Sequence, residues 1–220
     1  MILCTKQTHN IILILCKKEG NIMKKKELER IKHLLIVVDV VNGFVRKGNL
    51  ADSRLEESIP EIVRLVDDYY CSNNGIIFIR DAHTLNCAEF DRLQVHCLDG
   101  SYESEIIDEL KPYEKYAYIY KKNCTSAFML KEFRRDIALM RQLKEICLIG
   151  WCTDICVMNL GIDLRNYFDQ INKKVDIIIP SYAVGTYHVQ KVHESVEWGN
   201  MAFRFMEQAG LRVVKKYERK

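Results

Sequence analysis

The 220 residues carry a net charge of +3, with 48% hydrophobic and 29% charged residues. That balance is ordinary for a globular chain, long enough for one well-filled α/β domain and short for two. The positive charge is scattered, and the Lys24–Lys26 cluster is too short to argue for nucleic acid. Nine cysteines, an odd number without framework spacing, count against a secreted disulfide scaffold and suit a reducing cytoplasm.

Residues 11–16 are apolar but far shorter than the roughly 20 residues of a spanning helix, so no membrane partner is expected. The segment has neither a basic leader nor a small-residue cleavage site. Met23 looks like a natural opening, so residues 1–22 are expected to be dispensable. The chain divides into an extension over 1–30 and a domain over 31–220.

From His33 onward, apolar runs alternate with amphipathic stretches. Residues 34–39 read as a strand of the continuously apolar kind found in a parallel sheet covered on both faces. Residues 58–70 have helical periodicity with Pro60 in the first turn. A turn at Asn73–Gly75 leads to a strand over 76–79, and a short helix is predicted near 103–110. Strands over 116–120, 145–149 and 175–179 follow, with helices over 128–143, from the Cys156 turn to about Phe168, and over 194–208. Gly210 is a C-cap candidate, and 211–214 form a last short strand. The alternation predicts an α/β, doubly wound, mainly parallel sheet with helices on both faces, binding ligands at the carboxyl ends of its strands.

Three strand ends there carry chemistry. The first delivers Asp39, the third Lys121 and Lys122, and the fourth runs through Gly150 into Cys156. Thr153 or Asp154 can cap a helix whose first turn holds Cys156. A thiol so placed can fall from about 8.5 to roughly 3.5–7.5, which exposes a thiolate at neutral pH. On placement alone, an ordinary Asp–Lys ion pair beside a core cysteine fits the same residues equally well.

The motifs Ile-Val-Val-Asp39-Val-Val-Asn-Gly-Phe44, Lys122-Asn-Cys-Thr-Ser126-Ala-Phe128 and Gly150-Trp-Cys-Thr-Asp154-Ile-Cys156-Val157 resemble the three signatures of the isochorismatase-like cysteine hydrolases. That superfamily includes the nicotinamidases. The resemblance covers roughly residues 31–215 and implies a catalytic triad of Asp39, Lys122 and Cys156. Lys122 is preferred over Lys121 because it keeps the family spacing to Ser126. A cis peptide at Trp151–Cys152 is also implied, with the Cys152 and Cys156 amides as the oxyanion hole.

A second constellation follows the 76–79 strand: Asp81, His83, Glu89 and His96. Oxygen and imidazole donors suit a divalent ion, zinc foremost and iron or manganese otherwise. The set looks like the nicotinamidase metal site, with Asp91 as competitor to Glu89 and with Cys87 and Cys97 as bystanders. The ion would hold a pyridine nitrogen and place the carboxamide over Cys156. Phe44 is a possible ring contact, while Leu93 stands where an aromatic clamp is common and Gln94-Val95 where a Pro-rich turn is common.

The resemblance therefore implies a cytoplasmic, homo-oligomeric amidohydrolase that converts nicotinamide to nicotinate and ammonia in NAD salvage. Its only expected partner besides the metal is a small-molecule amide. The alternatives are an amidase for a carbamoyl or ureido compound on the same scaffold, or a non-catalytic binding domain. Isochorismatase activity itself is disfavoured, because vinyl-ether hydrolysis does not need the cysteine. His188 and His193 read as ordinary helix or loop residues.

Overall fold

The computed structural model describes residues 20–218. Its strands are β1 (His33–Val38), β2 (Gly75–Asp81), β3 (Tyr118–Lys122), β4 (Glu145–Trp151), β5 (Asp176–Pro180), β6 (Val184–Gly185) and β7 (Arg212–Val214). They form one parallel sheet in the order β3-β2-β1-β4-β5-β7, with β6 paired to the end of β4. The expected parallel sheet is thus present, and its order reverses between β1 and β4. The crevice beside such a reversal is where ligands bind in open α/β sheets.

The helices are α1 (Gly20–Arg30), the single turn α2 (Asn42–Val45), α3 (Ile59–Cys71), α4 (Lys131–Leu139), α5 (Met158–Gln170) and α6 (Ser195–Gln208). Successive side chains of a strand face opposite ways, and β1 buries both sets. Leu34, Ile36 and Val38 pack with Leu28 of α1, Phe133 of α4, Leu160 and Leu164 of α5 and Met206 of α6. Leu35 and Val37 pack with Ile62, Leu65, Val66 and Tyr69 of α3. Leu28 is fully buried, so the packed domain reaches back before residue 31. Residues 1–19, most of the expected extension, lie outside the described residues. No helix among the described residues is long and apolar enough to cross a membrane.

Several elements differ from expectation. Residues 103–110 form no α-helix, only the end of a 3₁₀ turn over Tyr102–Ser104. Val41 pairs with Ile106, the Asn42 amide donates to the Glu105 carbonyl and the Ile107 amide to the Val40 carbonyl. The backbone that a helix would use is committed to the chain leaving β1. The predicted 128–143 helix is confined to α4, preceded by a short 3₁₀ turn over Ala127–Met129 that the Ser126 hydroxyl caps at the Phe128 amide. β3 runs two residues later than expected and so contains both lysines. The C-terminal end of α6 behaves as expected, with Gly210 at φ +90° just past its cap residue.

Candidate active site

The strand ends gather the chemistry at the sheet's reversal. Val38 is in register with Ile79 of β2 and Gly150 of β4. The next residue, Asp39, sits at φ +54°, in the left-handed region that non-glycine residues rarely occupy, and turns the chain off the sheet. Such outliers cluster where function fixes them. Gly150 has φ +114°, and a Cβ there would lie 2.1 Å from the Val38 carbonyl oxygen, so only glycine lets β1 and β4 approach this closely. The Trp151–Cys152 peptide is cis, as the resemblance implied.

Alternation along β3 selects the lysine. Tyr120 and Lys122 point inward, whereas Lys121 is exposed and reaches Asp99 at 2.6 Å. Lys122 is 1% exposed and Asp39 0%. The Lys122 Nζ lies 2.8 Å from Asp39 Oδ2 and 3.5 Å from Cys156 Sγ, and it donates a short hydrogen bond to Asp81 Oδ1. Asp39 thus faces both the ammonium of Lys122 and the thiol of Cys156. Carboxylate oxygens of Asp39 and Asp81 and the Cys156 sulfur all lie within 4.8 Å of one another. The predicted convergence of an acid, an amine and a thiol is therefore present.

Electrostatics in this dry cluster run opposite to one expectation. Burial pushes the Cys156 thiol well above its ordinary value; Lys122 pulls it down, and Asp39 and Asp81 push it further up. Burial outweighs the helix-terminus effect expected at this position, where Thr153–Val157 is a π turn preceding α5 and Cys152 precedes it without a side-chain cap. Neither Thr153 nor Asp154 caps it, and Asp154 instead meets His193. Burial and the Asp81 charge raise Asp39 to about 7, against the pull of Lys122. Burial alone would discharge Lys122, but Asp39 and Asp81 outweigh it and keep the ammonium charged. Burial would also raise Asp81, yet Lys122 and the two neighbouring imidazoles hold it below the usual carboxylate range.

Asp81 joins this cluster to the second one. Its Oδ2 lies 3.5 Å from His83 Nε2 and 3.7 Å from His96 Nε2, while Glu89 Oε2 is 3.8 Å from His83 Nε2. Each imidazole has its other nitrogen engaged: His96 Nδ1 donates to the Gln94 carbonyl at 2.7 Å, and His83 Nδ1 lies 3.3 Å from Cys87 Sγ. His83 Nε2 is buried and makes no hydrogen bond. A fully buried imidazole nitrogen aimed at two carboxylates, with its ring oriented from behind, is how a metal ligand is prepared. Asp81 and Glu89 also bring two carboxylates to these imidazoles, an oxygen and nitrogen donor set suited to a divalent cation. The residues fit such an ion. Asp81, His83 and His96 bring donor atoms within 4.8 Å of one another, as do His83, Cys87 and Glu89, whereas Asp91 is exposed.

Cys156 and Cys152 open onto a cavity of about 90 Å³ together with Asp81, Glu89, His96 and Lys122. Its remaining walls include Phe44, Leu50, Leu93, Ile155 and Tyr187. Phe44 lies 5.8 Å from the His96 ring, centre to centre. The volume is far below the roughly 300–1,000 Å³ of drug-sized sites and limits the occupant to a small molecule.

Sequence reasoning missed several residues here. Cys87, read as a bystander, backs His83. Thr125 donates to Glu89 Oε1 at 2.7 Å. Leu50 and Tyr187 line the cavity from segments without any motif, Ile155 lines it from a motif position given no role, and His193 is buried against Asp154 of the Cys156 turn.

Nicotinamidase 1 of Arabidopsis thaliana is 28% identical over 178 residues, covering 71% of this chain and 72% of that protein. The solved nicotinamidase of Bacillus subtilis is 25% identical with a TM-score of 0.69, covering 84% of this chain and all of that one. The pyrazinamidase of Pyrococcus horikoshii, solved in complex with zinc, shares the fold at a TM-score of 0.69 and 20% identity, covering 84% of this chain and 99% of that one. The isochorismatase domain family matches residues 33–215, nearly the whole described structure. By that match the chain belongs to the isochorismatase family, a nicotinamidase-like hydrolase built on its α/β sheet.

Proposed function

We propose that this protein is an amidohydrolase that converts nicotinamide to nicotinate and ammonia, with Cys156 as nucleophile. The observation that carries the reading is one small cavity in which a thiol faces a metal-competent Asp–His cluster across apolar walls. A flat aromatic amide with a ring nitrogen has the chemistry to use both ends. The nicotinamidases of A. thaliana and B. subtilis at 25–28% identity support the substrate class.

The thiol is protonated at rest, so attack begins with proton transfer. Asp39, raised to about 7, is matched to neutral pH as a general base and takes the Cys156 proton. The Lys122 ammonium, 3.5 Å from the sulfur, stabilises the thiolate as it forms. The sulfur bonds to the amide carbon, and the carbonyl oxygen takes the negative charge. The backbone N–H groups of Cys152 and Cys156 receive that oxyanion, a donor of this kind being worth about 10²–10³ in rate. Asp39 returns its proton to the amide nitrogen, the C–N bond breaks, and ammonia leaves a thioester on Cys156. Water then attacks the thioester carbon while Asp39 accepts its proton. The C–S bond breaks, and the sulfur recovers a proton as the acid departs.

Asp81, His83 and His96, with Glu89, would hold the divalent ion, which when bound supplies a Lewis-acid anchor for a ring nitrogen. Phe44 and Tyr187 close the cavity against water. Leu93 at the cavity, in place of an aromatic clamp, favours a second reading, in which a carbamoyl or ureido compound is the better substrate. Metal analysis of the purified protein, with ammonia release measured across nicotinamide and small ureido amides, tests both. Bound zinc, iron or manganese with highest kcat/KM on nicotinamide is expected. Preference for a ureido amide would replace the first reading with the second.

A further inference from the structure

His193 is absent from the cavity and is built into its foundation. The residue is 5% exposed, just before α6. Its Nε2 lies 2.8 Å from Asp154 Oδ2, and its Nδ1 lies 2.8 Å from the Tyr187 carbonyl oxygen. Both ring nitrogens are thus engaged by an oxygen, one from the nucleophile's turn and one from the loop that lines the cavity. The ring is sandwiched: Tyr187 stacks on one side at 4.0 Å and 8°, and Trp198 of α6 on the other at 4.8 Å and 20°. The backbone around it is held by reciprocal bonds between Val189 and His193.

Both partners lead to the site. Asp154 lies in the π turn midway between Cys152 and Cys156, and its side chain is 5% exposed. Tyr187 lines the cavity, and its backbone hydrogen-bonds the Cys152 sulfur. One imidazole therefore ties together the nucleophile's turn, the 186–193 loop and the first turn of α6. Removing it would leave Asp154 buried without a partner, a costly arrangement that the turn relieves by moving.

We propose that His193 is a positioning residue, clamping Asp154 so that the turn presents Cys156 to the cavity; the idea rests on Cys156 being the nucleophile. His193→Phe keeps a planar ring between Tyr187 and Trp198 and deletes both hydrogen bonds. The readout is the rate at which iodoacetamide alkylates Cys156, followed on its own peptide by mass spectrometry, beside kcat and KM for ammonia release. Alkylation reports on the sulfur whichever amide is the substrate, so failure on nicotinamide alone leaves it readable. Alkylation and kcat should each fall at least tenfold, with KM changed less than threefold. His193→Gln, which restores one donor, should recover part of the loss. Asp154→Asn added to His193→Phe should cost nothing further, as expected for residues acting as a unit. Alkylation and kcat within twofold of wild type in a cooperatively folded His193→Phe would overturn the proposal. If that variant does not fold, Asp154→Ala alone, which removes the acceptor, decides by the same thresholds.

Discussion

Replacing Asp39 by Asn should make the enzyme a worse catalyst and a more stable protein, and the second effect has a calculable pH dependence. The carboxyl rises from an ordinary 3.8 to about 7 in the folded chain, chiefly through burial and secondarily through Asp81, after the attraction of Lys122 is counted. Between those two values the native protein holds a proton that the unfolded chain has released. Native proton binding then exceeds unfolded binding, so stability falls as pH rises through that window. The accumulated cost is on the order of 4 kcal/mol above pH 7 and nearly nil below pH 4. Against a typical total of about 5–15 kcal/mol, that is a large fraction. Asn imitates the protonated acid and never incurs the cost. Urea unfolding of chelator-treated protein at pH 4 and pH 8 should show the variant gaining about 4 kcal/mol on wild type between the two. The same variant should lose about 10²–10⁴ in kcat through loss of the base. A stability difference that stays flat across pH would refute the assignment of Asp39 as a buried acid poised near neutrality.

Two further predictions concern the metal. Glu89→Gln should lower the metal content of purified protein, whereas Asp91→Asn, altered on an exposed side chain, should leave it unchanged; elemental analysis of the pair reads the difference. Cys87→Ala removes the group behind His83 Nδ1 and should weaken metal affinity about 10–100-fold in competition with a chelating dye.

The sheet was legible because β1, β2, β4 and β5 are short runs of Ile, Leu and Val, buried on both faces, and such runs have few other uses. The ends of β1 and β4 then located Asp39 and Cys156, and alternation along the half-exposed β3 explains why Lys122 rather than Lys121 faces inward. Local pattern misled where tertiary pairing outbid it. Residues 103–110 place Ile106, Ile107 and Leu110 at helical spacing, yet all three are buried while the backbone bonds to residues 40–42. The π turn was invisible because hydrophobic spacing does not announce one extra residue in a turn. It also starts without the side-chain cap that Thr153 or Asp154 suggested, and burial, which local sequence does not report, sets the direction of the thiol pKa. His193 and Asp154 stand 39 positions apart, and nothing local pairs them. The Tyr and Trp flanking His193 in sequence were the one available hint. Cys87, four residues from His83, became meaningful only when the imidazole's second nitrogen needed a partner.

The central claim is that Cys156 forms and breaks the bond to the substrate's amide carbon. Ammonia release from nicotinamide by purified, metal-loaded Cys156→Ala tests it most directly. That variant should fold cooperatively, carry as much metal as wild type and release no ammonia. Turnover near the wild-type rate would contradict it.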